Sequence, residues 1–293
     1  MRVGLTGSTG FIGSHVLDTL IEHGHDVIAL VRNDEQAAAV AARGAEAVVV
    51  DLYDRPAVVK AFTAADGAVH AASPGDATSA DLDTAVVDAA LQAYANTGKP
   101  YVQVGGIWVY GANPSISEAS AFNPPAMVGW KEPIERRVLE RPDLRGVVIV
   151  SSVAYGDGGG AIPGLLLASP RDEAGRLIML GNGEQHWSTI HAADLADVFR
   201  RVLESDSARG YFIAGNGVNP TVAELTEAAA LAAGAVGAAA GSDQEARQRL
   251  GDYFADVLLI DQATTAERAR RELGWAPTHP GLVEECRQGS YRS

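Results

Sequence analysis

Residues Thr6-Gly7-Ser8-Thr9-Gly10-Phe11-Ile12-Gly13 constrain this chain more than any other stretch. An alternating strand carrying Val3 and Leu5 precedes them. An amphipathic helix follows, with Ile12, Val16, Leu17, Leu20 and Ile21 on one side and Gly24 at its end. A helix that begins here leaves its first backbone N–H groups unpaired and turns the positive end of its dipole outward. The glycines let an anion approach the backbone, so strand, turn and helix start together form a phosphate cradle. The spacing is G-x-x-G-x-x-G rather than the G-x-G-x-x-G of the dehydrogenase fingerprint. Its place directly after a first strand predicts dinucleotide binding rather than a plain tight turn, with Gly7, Thr9, Gly10, Phe11, Ile12 and Gly13 as the contacts.

The first half of the chain alternates short apolar strands with helical stretches, the pattern of a parallel sheet covered on both faces. Strands are expected at Asp26 to Val31, Ala47 to Val50, Ala68 to His70, Tyr101 to Val104 and Val147 to Val150. Helices are expected from Asp81 to Asn96 and from Trp130 to Glu140, with Pro56 in the first turn of another. Right-handed crossovers then give the strand order 3-2-1-4-5-6, with ligand at the carboxyl ends near strands one and four. The fold class is therefore α/β, a Rossmann-type doubly wound parallel sheet with a smaller, discontinuous C-terminal lid. Residues 1–155 plus about 188–214 are assigned to the dinucleotide-binding domain, and about 156–187 plus 215–293 to the lid. Beyond Tyr155, Gly156-Asp157-Gly158-Gly159-Gly160 reads as a flexible junction. A helix from His191 to Glu204 and a strand at Tyr211 to Ile213 rejoin the sheet, and Thr221-Val222-Ala223-Glu224 is a capping box. Gly241 to Asp252 reads as polar and mobile, and Ala263 to Glu272 as helix.

With 293 residues, 47% of them hydrophobic, the chain can bury a large core. A net charge of −14 argues against nucleic acid, whose binding relies on clustered Lys and Arg. A single cysteine, Cys286, excludes a disulfide framework and a cysteine-built metal site; no metal is expected. The first strand starts at Arg2, which leaves no room for a cleavable signal. The most apolar run, Ala228 to Ala240, is too short and alanine-rich to span a bilayer. A cytoplasmic protein acting on a small molecule is the expectation, without membrane or nucleic-acid partners.

Taken in order, Thr6 to Gly13, Asp51-Leu52, His70-Ala71-Ala72, Val109-Tyr110-Gly111, Tyr155-Gly156, the Gly181-Asn182-Gly183 to His191-Ala192-Ala193-Asp194 run and Leu273-Gly274-Trp275-Ala276-Pro277 resemble the extended short-chain dehydrogenase/reductases. That family includes nucleotide-sugar epimerases and dehydratases, and the resemblance covers nearly the whole chain. It implies that Asp51 and Leu52 hold adenine and that Ala71, Ala72 and Ser73 line the path to nicotinamide. NAD-preferring relatives end strand two with an acid that binds the ribose hydroxyls. Here Arg32 ends it, and a guanidinium suits a 2′-phosphate, so NADP(H) is favoured and NAD(H) stays open.

The same resemblance makes this chain atypical. The family uses a Tyr-x-x-x-Lys pair with a Ser or Thr; the lysine lowers the phenol's pKa and grips the nicotinamide ribose. Counted back from Val109-Tyr110-Gly111, the hydroxyl position falls on Gly106; with Lys131 as the lysine, the tyrosine position falls on Met127. A thioether donates no proton. Lys131 keeps its ribose role, and Tyr110 and His186 are the leading replacement acids, with Tyr155, Ser73, Ser151 and Ser152 behind them. Each has a plain alternative: Tyr110 and Tyr155 as core, the serines as backbone partners, His186 as a surface lid residue. His191 reads as a helix cap. Where nucleotide-sugar relatives carry a diphosphate-gripping arginine in the lid, this chain has Trp187; Trp108, Met127 and Trp130 extend an apolar substrate wall, and Ile162 adds to it if it reaches the pocket.

Three functions remain open at this point. One is a reductase of a small hydrophobic or aromatic carbonyl compound, not a nucleotide sugar. Another is a redox-neutral epimerase, dehydratase, cyclase or rearrangement enzyme, as in natural-product metabolism. The last is an NADP(H)-sensing regulator. A homodimer through the helices at Asp81 to Asn96 and Trp130 to Glu140, anchored by Leu82, Val86 and Leu91, is weighed against those residues covering a monomer's own sheet.

Overall fold

The computed structural model describes residues 1–292. The sheet begins with β1 (Arg2–Thr6), and Gly10 opens α1 (Phe11–Glu22) without any side-chain cap, so the first N–H groups of this helix stay free. There follow β2 (Asp26–Val31), α2 (Asp34–Ala41), β3 (Glu46–Val49) and α3 (Arg55–Thr63), the last capped by Asp54 with Pro56 in its first turn. Next come β4 (Gly67–His70), α4 (Ser79–Ala93) and β5 (Pro100–Gly106), which runs into a 3₁₀ turn at Ile107–Tyr110. After β6 (Asn113–Ile116) and α5 (Lys131–Leu139), β7 (Arg145–Ser151) ends the portion read as alternating.

The remainder is denser in elements than the sequence suggests. It holds β8 (Val153–Tyr155), α6 (Ala161–Leu167), β9 (Leu177–Ile178), β10 (Thr189–His191), α7 (Ala192–Glu204) and β11 (Gly210–Ala214). Then follow α8 (Val222–Ala232), β12 (Ala238–Ala239), α9 (Asp243–Leu250), α10 (Asp252–Leu258), β13 (Gln262–Thr264), α11 (Glu267–Leu273) and α12 (Leu282–Gln288).

Seven parallel strands lie in the order β11-β7-β5-β4-β1-β2-β3, the expected 3-2-1-4-5-6 order with Gly210–Ala214 added beyond β7. Alternation along β2 decides which residues face which layer. Val27, Ala29 and Val31 enter a core with α1 and α7, whereas Ile28 and Leu30 meet α3, α4 and α5. Thr221 accepts from Glu224 N, and the Glu224 carboxylate accepts from Thr221 N, completing the expected capping box. A further core joins Tyr155, Leu166, Trp187, Leu225 and Leu282 across the C-terminal portion. No helix among the described residues is long and apolar enough to cross a membrane.

Several expectations need correction. Within Gly241 to Asp252 lies α9, started by Ser242, whose hydroxyl accepts from Glu245 N; polarity hid a capped helix rather than marking a mobile loop. Gln262–Thr264 is a strand paired with β6, so helix begins only at Glu267. Ala266, Ala269 and Trp275 pack into the core with α1 and α7. Leu82 and Val86 are buried in the core formed by α3, α4 and α5, with Leu91 packed against it.

Candidate active site

The cradle glycines are required by the chain itself. A Cβ on Gly13 would lie 2.1 Å from the Gly7 carbonyl oxygen. On Gly7, which has φ +75°, it would lie 2.5 Å from the backbone of Ala71 and Ala72. Gly10 N–H donates to Gly7 O at 2.9 Å and closes the turn. Thr9 and Gly10 are exposed and Phe11 and Ile12 half-buried, so a dinucleotide's phosphates would meet bare backbone at the start of α1. These residues fit such a group. The Phe11 ring lies under the junction loop, 2.6 Å from where a Cβ on Gly159 would stand. Tyr291 ties that loop down: Gly156 N–H donates to its hydroxyl at 2.8 Å, and the hydroxyl donates to Gly159 O.

Around the cradle, Arg32 is exposed at the end of β2, and its guanidinium has no hydrogen bond or ion pair among the described residues. Only its backbone N–H is engaged, with Gln36 Oε1 at 3.0 Å. Asp51 is exposed and accepts from Tyr53 N at 3.0 Å, while Leu52 packs on the core beside α3. Ala71 and Ala72 are half-buried against β1, where Ala72 N–H donates to Thr6 Oγ1 at 3.3 Å. Ser73 is exposed, its hydroxyl 3.3 Å from Ser79 Oγ.

At the end of β5 the packing opens. A Cβ on Gly106 would meet nothing within 4 Å, so the position opens on free space. Met127 is 36% exposed just before α5, and its carbonyl accepts from Trp130 Nε1 at 3.0 Å. The Lys131 ammonium sits 4.3 Å from the centre of the Trp130 ring and 3.5 Å from Asp83 Oδ2.

The expected replacement acids do not gather there. Tyr110 is 1% exposed and packs edge-on against Phe122; burial, then the nearby Glu118 and Glu135, pushes its phenol above the usual range. Its ring is core, the alternative its motif already offered. Tyr155 donates to Pro280 O at 2.6 Å, again from the interior. Ser151 donates to Ser152 O and Ser152 pairs with Ser188, so both hydroxyls are spent on the fold. His186 is half-exposed and held by Asp261, with Nδ1 2.9 Å from Oδ1. His191 caps α7 by accepting from Ala193 N at 3.2 Å.

The substrate wall also shrinks. Trp187 is 3% exposed and donates from Nε1 to Leu258 O at 3.1 Å, which makes it lid core rather than lining. Trp108 is half-buried, edge-on to Phe254 with ring centres 6.4 Å apart. Reading the sequence missed two buried acids. Glu135 stands behind Gly105, its Oε1 3.0 Å from where a Cβ would be, and burial raises its pKa to about 7 against the opposing Lys131 charge. Asp83 lies on the buried face of α4 beside Leu82, Val86 and Val87. An acid amid an apolar helical face was the available signal.

A family model described as the NAD dependent epimerase/dehydratase family matches residues 3–214. The chain belongs to that family. An uncharacterized protein of Schizosaccharomyces pombe is 27% identical over 99% of this chain and 100% of its own length. A 3-diazoavenalumate denitrifying reductase of a Streptomyces species is also 27% identical, covering 96% of this chain and 97% of that protein. A 4-hydroxy-2-methyl-3-oxo-4-farnesyl-3,4-dihydroquinoline-1-oxide ketoreductase of Stigmatella aurantiaca is 24% identical over 98% of this chain and 96% of its own. Among solved structures, human epimerase family protein SDR39U1 (isoform 2) with NADPH superposes with a TM-score of 0.74 at 20% identity, over 99% of both chains. Family and fold make this a nicotinamide-dinucleotide-dependent, oxidoreductase-like enzyme.

Proposed function

We propose that this protein is an NADP(H)-dependent reductase of a small, hydrophobic or aromatic carbonyl compound rather than of a nucleotide sugar. The observation that carries the reading is the contrast between a tightly built cradle and an open place at Gly106 without an acid side chain. When bound, the reduced coenzyme supplies the hydride. The protein's own work is then to hold two reactants face to face, which by itself supports a large part of the acceleration.

Arg32 would take the 2′-phosphate, since its guanidinium is exposed and uncommitted. The free N–H groups at the start of α1 would take the pyrophosphate. Lys131 would hold the ribose and lend positive charge toward the substrate oxygen, and water admitted at Gly106 would complete the proton balance. His186 is retained only as a lid-side group, because Asp261 holds it on both its ring and its backbone N–H. Trp108, Met127 and Trp130 offer an apolar face without an arginine for a diphosphate. The ketoreductase and the denitrifying reductase support this reading, as neither is named for a nucleotide sugar. We place the protein in the cytoplasm on its acidic, folded composition.

The test is NADPH absorbance at 340 nm across a panel of aromatic and alicyclic ketones and aldehydes. Loss of absorbance matched by alcohol formation is expected. Product formation with a flat trace would favour the redox-neutral reading, to which the missing tyrosine and hydroxyl also point. Tight coenzyme binding without any turnover would favour a sensor.

A further inference from the structure

Asp83 is a buried acid that the proposed reaction does not use. It is 3% exposed, on a helix face otherwise filled by Leu82, Val86 and Val87. An isolated carboxylate in such surroundings is strongly disfavoured. Here Oδ1 lies 3.2 Å from His70 Nε2, while Oδ2 accepts from Gln103 Nε2 at 3.1 Å and from Lys131 Nζ at 3.5 Å. His70 Nδ1 in turn lies 2.7 Å from Thr6 Oγ1, which accepts from Ala72 N–H at 3.3 Å.

One order of donors satisfies the whole string. Ala72 N–H donates to Thr6, the Thr6 hydroxyl to His70 Nδ1, and His70 Nε2–H to Asp83. Thr6 precedes Gly7 and the Ala72 backbone N borders it, so the string starts beside the cradle and ends at the amine. Lys131 is the one Lys or Arg paired with Asp83 among the described residues, and the Trp130 ring closes its other side. Burial opposes ionisation of Asp83; the hydrogen bond from His70 and the Lys131 ammonium outweigh it and hold the carboxyl below its usual range.

We propose that Asp83 is the positioning residue for Lys131, anchoring the ammonium at the start of α5 through a polar string fixed to the cradle at His70 and Thr6. The catalytic meaning of this rests on the role given to Lys131 above, but the placement of the amine can be tested without turnover.

The experiment uses the full-length, coenzyme-free chain. Reductive methylation of Lys131, followed by peptide mass spectrometry, should run about fivefold faster in Asp83→Asn than in the native protein, because the amine loses its fixed partner. Labelling of exposed Lys60 should be unchanged. Asp83→Asn and Lys131→Met should each lower Tm by about 5 °C, and the double variant should fall no further than the worse single one. If Asp83→Asn fails to fold, His70→Gln leaves the carboxylate in place but held only by Gln103, and Lys131 labelling should still rise about twofold. In turnover, Asp83→Asn and Lys131→Met should raise the same constant, the coenzyme KM, more than they lower kcat. An unchanged Lys131 labelling rate, additive Tm losses, or effects on different constants would overturn the proposal. Absence of turnover in the native protein would sink the reductase reading and leave the labelling and Tm results standing.

Discussion

At the turn after β1, one carbon added to Gly7 or Gly13 would lie 2.5 or 2.1 Å from backbone atoms; at the end of β5, one added to Gly106 would meet nothing within 4 Å. The first site is shaped by close approach of main chain to main chain, which tolerates no substituent. The second carries no side chain at Gly106 and opens on free space. A binding site built from backbone cannot drift without unfolding its turn. A catalytic position built from two side chains can be vacated, and the sheet that carries it stays intact.

The most severe way to break this contrast is at the cradle. Gly13→Ala should weaken NADPH binding by about 100-fold or more, some 3 kcal/mol, measured by isothermal titration with folding checked by circular dichroism. Restoring the other end should do the opposite. Gly106→Ser with Met127→Tyr is expected to raise kcat for carbonyl reduction by about 10- to 100-fold, within the range for a positioned general acid. An unchanged rate in a folded double variant would mean that the open place is not where the substrate oxygen sits. Between the two, Arg32→Ala should weaken NADPH binding by about tenfold and leave NADH within about twofold, as expected for one charge-assisted contact to a phosphate.

The smallest effect sharpens the comparison from behind Gly105. Glu135 has its pKa raised on folding from 4.5 to about 7, first by burial, so the folded state binds the extra proton between those values. Its contribution is therefore fully present below about pH 4.5 and is lost as pH rises through 7. Glu135→Gln should flatten that dependence, narrowing the Tm difference between about pH 5.5 and pH 8.5 by a few degrees. An equal slope in both proteins would show that Glu135 is ionised throughout.

How much of this was legible in the chain follows from the range of each interaction. The strand order follows from local alternation and right-handed crossovers, whereas Gly210–Ala214 joins the sheet beside β7 only after a long excursion through β8 to α7. The Gly241 to Asp252 stretch was misread because its polar residues conceal a Ser242 cap, and Ala263 to Glu272 because propensity cannot see that Gln262–Thr264 pairs with Asn113–Ile116 from far upstream. Tyr110 carried a family motif and turned out to be core, since a motif says where a residue lies along the chain and not which way its ring points.

The sequence by itself determined the cradle turn, the parallel sheet and the family, because each depends on neighbours a few residues apart or on a residue's own chemistry. Only the tertiary structure decided that Trp187 is lid core, that Leu82 and Val86 cover the sheet, and that Thr6, His70, Asp83 and Lys131 form one string. Those four come from β1, β4, α4 and α5, and their contacts exist only once the sheet and its helix layer have closed around them. Desolvation then makes each unmade hydrogen bond costly, and that requirement joins residues the linear order keeps apart.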